Sequence, residues 1–406
     1  MVEKAKPPFV WFIAGEPSGD LLGAKLISAL KVETGGCLRI NGVGGEAMEA
    51  EGLISLFPIS DIAVMGLVEI LPRIPLIKRR LRQTIRSIQA DKPDVVITID
   101  APGFCYDIWK GLRGSGITLV HYVAPSVWAW RPGRARKFAA RLDHLMTLLP
   151  FEPPFFEKYG LSSTFVGHPV VESEANKGNG ARFREHNKIR PEAIIVCVLS
   201  GSRFTEIKRL GKVFRLVSEI FLKNYPQTVF AFPTVSYLRS HVDVLAASWP
   251  GTTVVVDTER EKFDVMAASN VALAASGTVS LELAIAGVPH IIAYRLNGLT
   301  VAIFRMLHGL NQRYANLLNI LLGKEIIPEF IQGRCRADLI SKSLLQLAKE
   351  SELRDRQLTG VREALQMLET AEGYPSKTAA SVVLSVLADR TDYEGQKNGY
   401  NDAGSV

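Results

Sequence analysis

A chain of 406 residues, 47% of them hydrophobic, carries enough apolar surface for two or three packed domains and is neither a disordered nor a fibrous sequence. Forty-eight basic against forty-one acidic residues leave a net charge of +7, which favours anionic partners without choosing among nucleic acid, nucleotide phosphates and an anionic membrane surface. The four cysteines, Cys37, Cys105, Cys197 and Cys335, lie far apart with no CxxC pair; this argues against a disulfide framework or a zinc site and fits a reducing cytoplasm.

Ahead of Gly15 stand Glu3, two prolines and only about six apolar residues, too few for a signal-peptide core. No run reaches the roughly 18 to 20 apolar residues of a transmembrane helix, so any membrane contact is expected at the surface. From there short β-branched runs alternate with helical patterns. FVWFI (9–13), DVVITI (94–99), GITLVHYV (116–123) and HLMTLL (144–149) read as buried parallel strands; LLGAKLISAL (21–30) and IKRRLRQTIRSIQA (77–90) have apolar residues at helical spacing. The polar stretch 172–191 reads as an interdomain connection. A second series follows it, with strands expected at 194–200, 228–233, 252–257, 271–275 and 289–294. The fold class expected is α/β, with two Rossmann-like doubly wound domains facing a cleft. The polar end, 391–406, is expected to be disordered.

The candidate site residues fall where strands give way to helices. AGEPSGDLLGA follows the first strand with Gly15, Gly19 and Gly23 every fourth residue, matching neither the dinucleotide GxGxxG nor the phosphate-loop GxxxxGK[ST] spacing. Ser18 and Asp20 suit helix caps as well as ligand contacts; Glu16 is less easily read as a cap. Asp100 ends DVVITI and suits a general base for an attacking hydroxyl, or else a cap of the next turn. HYVAPSVWAWRPGRARK places Trp128 and Arg131 in one loop, to stack on a sugar or to serve as half-buried anchors, and His121 also suits a core position. In the second half, VCVLSGSRFTEIKRL sets Arg203 at a helix N-terminus, a plausible diphosphate site, with an ion pair to Glu206 as the alternative. ASGTVSLELAIAGVPHIIAY opens a helix with Ser276, Gly277 and Thr278 and carries Glu282, a carboxylate suited to a ribose diol.

The motifs AGEPSGDLLGA, HYVAPSVWAWR, LPFEPPFFEKYG, VGHP, SGSRFTEIKRL, SGTVSLELAIAGVPHIIAYR and NILLGKEIIPEFIQ occur in the order seen in lipid-A-disaccharide synthases, and the chain resembles that family over nearly its whole length. The resemblance implies a GT-B glycosyltransferase joining UDP-2,3-diacylglucosamine to 2,3-diacylglucosamine 1-phosphate, releasing UDP and forming a β(1→6) disaccharide with inversion. It implies a catalytic role for Asp100 with the Glu16, Ser18 and Asp20 turn beside it. Arg203, Ser276, Gly277, Thr278, Glu282 and Asn319 would lie on the UDP-sugar side, and Asp20, Trp128 and Arg131 on the acceptor side. Neither cofactor, metal nor nucleic acid is implied, and a homodimer is compatible with the resemblance.

Pro17, Ser200 and Leu318 depart from the residues usual in the family without removing a polar group. Gly103 and Cys105 stand where an acidic residue and an asparagine are common, so the resemblance carries no role over to those two positions.

The family is peripheral on the cytoplasmic face of the inner membrane. The segment 62–86 has the matching composition, with Val64, Met65, Leu67 and Leu71 beside Arg79, Arg80 and further basic residues; an interior helix with a solvated basic face is the alternative. The resemblance implies a first domain over 1–171 completed by 373–390, whose last helix crosses back to it, and a second over 172–372. Rival readings on the same architecture are a UDP-N-acetylglucosamine epimerase, a peptidoglycan-type N-acetylglucosaminyl transferase and a noncatalytic nucleotide-sugar or lipid-binding protein.

Overall fold

The computed structural model describes residues 7–63, 71–129, 133–275, 277, 279–295, 313–349 and 351–402. The chain divides into two compact units, Met1–Pro169 with Leu368–Val406, and Val170–Met367.

The first unit is a parallel sheet of β1 (Phe9–Ala14), β2 (Arg39–Val43), β3 (Val95–Ile99), β4 (Thr118–Tyr122), β5 (His144–Thr147) and β6 (Ser162–Phe165), in the order β2-β1-β3-β4-β5-β6. Every residue of β1 and β3 is buried, as continuous apolar runs require when helices cover both faces of a sheet. The helices are α1 (Pro17–Glu33), α2 (Glu46–Ala50), α3 (Ile74–Asp91), α4 (Pro102–Leu112), α5 (Arg134–Ala139) and α6 (Pro154–Glu157). β1 lies between β2 and β3, so successive crossovers leave it in opposite directions and a crevice opens beyond the carboxyl ends of β1 and β3.

The second unit repeats the plan. β7 (Ile195–Leu199), β8 (Val229–Pro233), β9 (Thr252–Val256), β10 (Val271–Ala274), β11 (His290–Tyr294) and β12 (Glu329–Ile331) form a parallel sheet in the order β12-β11-β10-β7-β8-β9, with its reversal between β7 and β10. Its helices are α7 (Gly180–His186), α8 (Phe204–Asn224), α9 (Arg239–Ala247), α10 (Glu259–Ala268), α11 (Val279–Ile285), α12 (Leu317–Leu322), α13 (Ala337–Ala348) and α14 (Glu352–Gln366).

Two expectations change. The stretch read as a connection folds into the second unit: Ala175 and Phe183 are buried, and Arg182 forks onto Asp264 with contacts of 2.7 and 2.6 Å. The last helix, α15 (Pro375–Asp402), packs on α1 with Ala379, Ala380 and Val383 in the core of the first unit, and it continues through residues expected to be disordered. Its apolar start is anchored, and propagation costs far less than nucleation, so a polar continuation stays helical.

Candidate functional site

Both sheet reversals carry candidate residues. In the first unit α1 begins at Pro17, so Ser18 lies in its first turn and Glu16 is its N-cap residue. Ser18 Oγ donates to Asp100 Oδ2 at 3.2 Å, joining the turn after β1 to the turn after β3. The glycines explain how they meet. A Cβ on Gly15 would stand 2.3 Å from Ala101 Cβ, and one on Gly23 would stand 2.7 Å from Met48 Sδ, so the four-residue spacing seats α1 against its neighbours and cradles no phosphate.

The backbone around Asp100 is unusual. Asp100 and Ala101 both adopt positive φ, 52° and 44°, and Val123, beyond the neighbouring strand β4, has φ 84°. For a β-branched residue that is a real outlier, and strain of this kind persists where surrounding structure imposes it, often at functional sites. The Asp100 carboxylate also accepts from Ala101 N at 2.8 Å and lines a 250 Å³ cavity with Pro102, Val123, Pro125, Ser126 and Arg134. Beneath it His121 is fully buried, and burial pushes its pKa down to about 3, so the ring is neutral; its Nδ1 lies 2.8 Å from Thr98 Oγ1. It is a core histidine.

Two acceptor-side candidates make hydrogen bonds within the fold. Asp20 is buried, and its carboxylate accepts from the backbone N–H groups of Gly45, Ala47 and Met48 at 2.7, 3.0 and 3.2 Å, capping α2. A carboxylate is well placed at that helix start, but these bonds occupy it and fold a neighbouring segment. Trp128 takes the anchor alternative. Its Nε1 donates to Glu152 Oε1 at 3.0 Å and its ring stands edge-on to Phe151. Glu152, not singled out in the sequence, is 3% exposed and also accepts from the N–H groups of Leu148 and Leu149. Burial raises its pKa to about 7 against the lowering effect of these three bonds.

In the second unit a 430 Å³ cavity opens beyond β7 and β10, lined by Gly201, Ser202, Arg203, Lys262, Gly277 and Glu282 among others. Gly201 has φ 108°, and a Cβ there would lie 2.3 Å from Glu206 Oε2; the turn therefore needs glycine twice over. Arg203 is the N-cap residue of α8 and pairs with Glu206 at 3.5 Å, with its own side chain 62% exposed. Such a pair is worth about 0–1 kcal/mol, little enough for an arriving diphosphate to take the guanidinium. Glu206 also accepts from Tyr294 OH at 3.2 Å. Glu282 pairs with Lys262 at 2.9 Å, both about one-fifth exposed, a partner that no spacing in the sequence announces.

Asn319 is held within the second unit. It is fully buried; its Nδ2 donates to Ile327 O and Glu329 Oε1 at 2.8 Å, and its Oδ1 accepts from Ile326 N and Ile327 N at 2.9 Å. All four hydrogen-bonding positions of the amide are spent tying α12 to β12.

Arg80, expected at a membrane surface, is also committed elsewhere. It pairs with Asp61 at 2.6 Å, bonds Gln83 and lies 4.7 Å over the Phe57 ring. Leu71 is 67% exposed, and Arg79 is exposed on α3. Val64, Met65, Leu67, Arg131, Ser276 and Thr278 lie outside the described residues. Among the described residues no helix is long and apolar enough to cross a membrane, and no group of three His, Cys, Asp or Glu is placed to hold a metal ion.

The family model for lipid-A-disaccharide synthetase matches residues 10–383. The chain belongs to that family. A lipid-A-disaccharide synthase of Rhodospirillum centenum is 46% identical, covering 97% of this chain and 99% of its own length, and one of Paramagnetospirillum magneticum is 42% identical, covering 96% and 100%. Family membership makes the chain a glycosyltransferase of lipid A biosynthesis. The fold is shared with Acinetobacter baumannii MurG (TM-score 0.55, 13% identity, 94% of this chain and 100% of that one). It is also shared with the UDP-GlcNAc 2-epimerase of Neisseria meningitidis, solved bound to UDP-GlcNAc (TM-score 0.59, 12% identity, 94% and 100%). Both agree with a two-domain Rossmann-like GT-B architecture.

Proposed function

We propose that the chain transfers the sugar of UDP-2,3-diacylglucosamine to 2,3-diacylglucosamine 1-phosphate, forming the β(1→6) disaccharide 1-phosphate and UDP with inversion. One observation carries the reading: in each sheet the residues this chemistry needs stand at the reversal of strand order, the place where doubly wound folds bind ligands.

In this reading the first unit takes the acceptor and the second the UDP-sugar. Asp100 accepts the proton of the attacking hydroxyl as its oxygen bonds the anomeric carbon, and Ser18, donating to Oδ2, holds the carboxylate for that task. The bond from the anomeric carbon to the diphosphate oxygen breaks, and UDP leaves with its charge on the start of α8 and on Arg203. Glu282 holds the ribose hydroxyls, with Lys262 offsetting its charge. Glu16 and Gly277 complete the two turns.

The exposed basic side chains Lys78, Arg79, Arg82 and Arg86 of α3, with exposed Leu71, support docking to an anionic membrane surface, where acylated substrates reside. The enzyme would then act peripherally at the cytoplasmic face of the inner membrane.

Paired substitutions test the division of labour. Asp100→Asn is expected to leave UDP affinity within about twofold and to lower turnover by about 10²–10⁴-fold, the usual contribution of a general base. Turnover equal to wild type removes Asp100 as the base.

A further inference from the structure

Outside the site described above, a 580 Å³ groove runs between α8 and α9 in the second unit. Buried Ile207 and half-buried Leu245 line it together with exposed Phe204 and Val244. Gly211 keeps the floor open: a Cβ there would already meet Leu245 Cδ1 at 3.3 Å, and anything longer would fill the groove.

Two features set this groove apart. Its apolar rim is not covered by the chain, with Phe204 50% and Val244 74% exposed. Its charges have one sign: Lys208 and Lys212, one helical turn apart on α8, are exposed along it, His241 packs edge-on to Phe204 at 5.0 Å, and no acidic residue lines it. Lysine stems lie readily along apolar surface while the ammonium reaches outward, which places positive charge above an apolar slot.

We propose that this groove is a lipid-binding site that takes a fatty-acyl chain of an anionic phospholipid, with Lys208 and Lys212 on the phosphate of its headgroup. An acyl chain matches the apolar floor, and the phosphate matches the single-signed rim. A neutral lipid would leave the lysines without a counter-charge, and a folded acidic protein would leave the slot empty. The site belongs to the second unit and uses none of the residues assigned to docking through α3.

The test places a reporter at the rim. In full-length protein carrying Cys37→Ser, Val244→Cys is labelled with an environment-sensitive nitrobenzoxadiazole dye; the remaining cysteines, Cys105, Cys197 and Cys335, are buried. Vesicles of phosphatidylcholine with and without phosphatidylglycerol are then added. Dye emission is expected to rise and shift to the blue with the anionic vesicles alone. Lys208→Glu/Lys212→Glu is expected to raise the vesicle concentration giving half of the dye response at least tenfold, each basic residue at a membrane surface contributing about a factor of five, with UDP affinity unchanged as the check on folding. If the protein sediments with anionic vesicles while the dye stays silent, the contact is made elsewhere and the proposal is overturned. A dye response that survives the charge reversal overturns it as well. A dye that ignores vesicles but responds to dispersed UDP-2,3-diacylglucosamine assigns the groove to the donor's own acyl chain and also overturns it.

Discussion

Replacing Asn319 by alanine separates a binding residue from a structural one. The amide makes four hydrogen bonds, three of them buried, and its removal leaves the N–H groups of Ile326 and Ile327 and the carbonyl of Ile327 without this partner. Glu329 Oε1 keeps its bond from Asn316 N and loses the one from Asn319. At about 1 kcal/mol net for each bond, and more where a donor is stranded in the interior, the cost is about 3–5 kcal/mol. In a unit of this size each kcal/mol moves the midpoint by about 2–4 °C, so the thermal midpoint should fall by about 10 °C. The cavity proposed for the nucleotide is not lined by Asn319, so UDP affinity measured by titration calorimetry well below the midpoint should stay within about threefold of wild type. A variant that melts like wild type but binds UDP more than tenfold more weakly refutes the structural assignment.

Arg203→Ala should weaken UDP binding by about tenfold and cost at most about 1 kcal/mol of stability, since Arg203 is itself 62% exposed and its 3.5 Å pair with Glu206 is long; calorimetry and thermal melts read the two effects separately. Gly15→Ala should destabilise the first unit by more than about 1 kcal/mol, because the new methyl collides with Ala101 beside Asp100. Turnover should fall with it while UDP affinity is retained, and normal turnover would contradict this packing. Glu152 makes stability depend on pH. Burial raises its pKa from 4.5 to about 7, so the folded state holds this proton to higher pH than the unfolded chain does, and stability from this group is present below pH 4.5 and lost as pH rises to about 7. At about 1.4 kcal/mol per pH unit, wild type should lose about 3 kcal/mol relative to Glu152→Gln across that window. Parallel stability profiles for the two proteins would show that Glu152 binds its proton equally in the folded and unfolded states, and would refute the burial effect.

The strands that form the middle of each sheet are legible in the sequence because they are continuous apolar runs: β1, β3 and β7 are buried along their whole length. β2, RINGV, and β6, SSTF, are not, because strands beginning with exposed residues at or near an edge carry no such run. Asp100, Arg203 and Glu282 are legible from position, each standing where a strand gives way to a helix. The bonds of Asp20 and Asn319 are not legible, because side-chain identity is visible in a sequence and partners are not: the N–H groups bound to Asp20 lie 25 to 28 residues away, and Glu329 reaches Asn319 from β12. Lys262 and Glu152 give no signal for the same reason. The glycine spacing of AGEPSGDLLGA is plain in the sequence, but its cause, the close approach of Ala101 and Met48, exists only in three dimensions.

The most direct test of the proposed reaction is to incubate the purified protein with UDP-2,3-diacylglucosamine and 2,3-diacylglucosamine 1-phosphate in mixed micelles and follow the products by mass spectrometry. Disaccharide 1-phosphate and UDP are expected in equal amounts, with both products suppressed in Asp100→Asn. Wild-type protein that binds UDP yet forms neither product would contradict the proposed reaction.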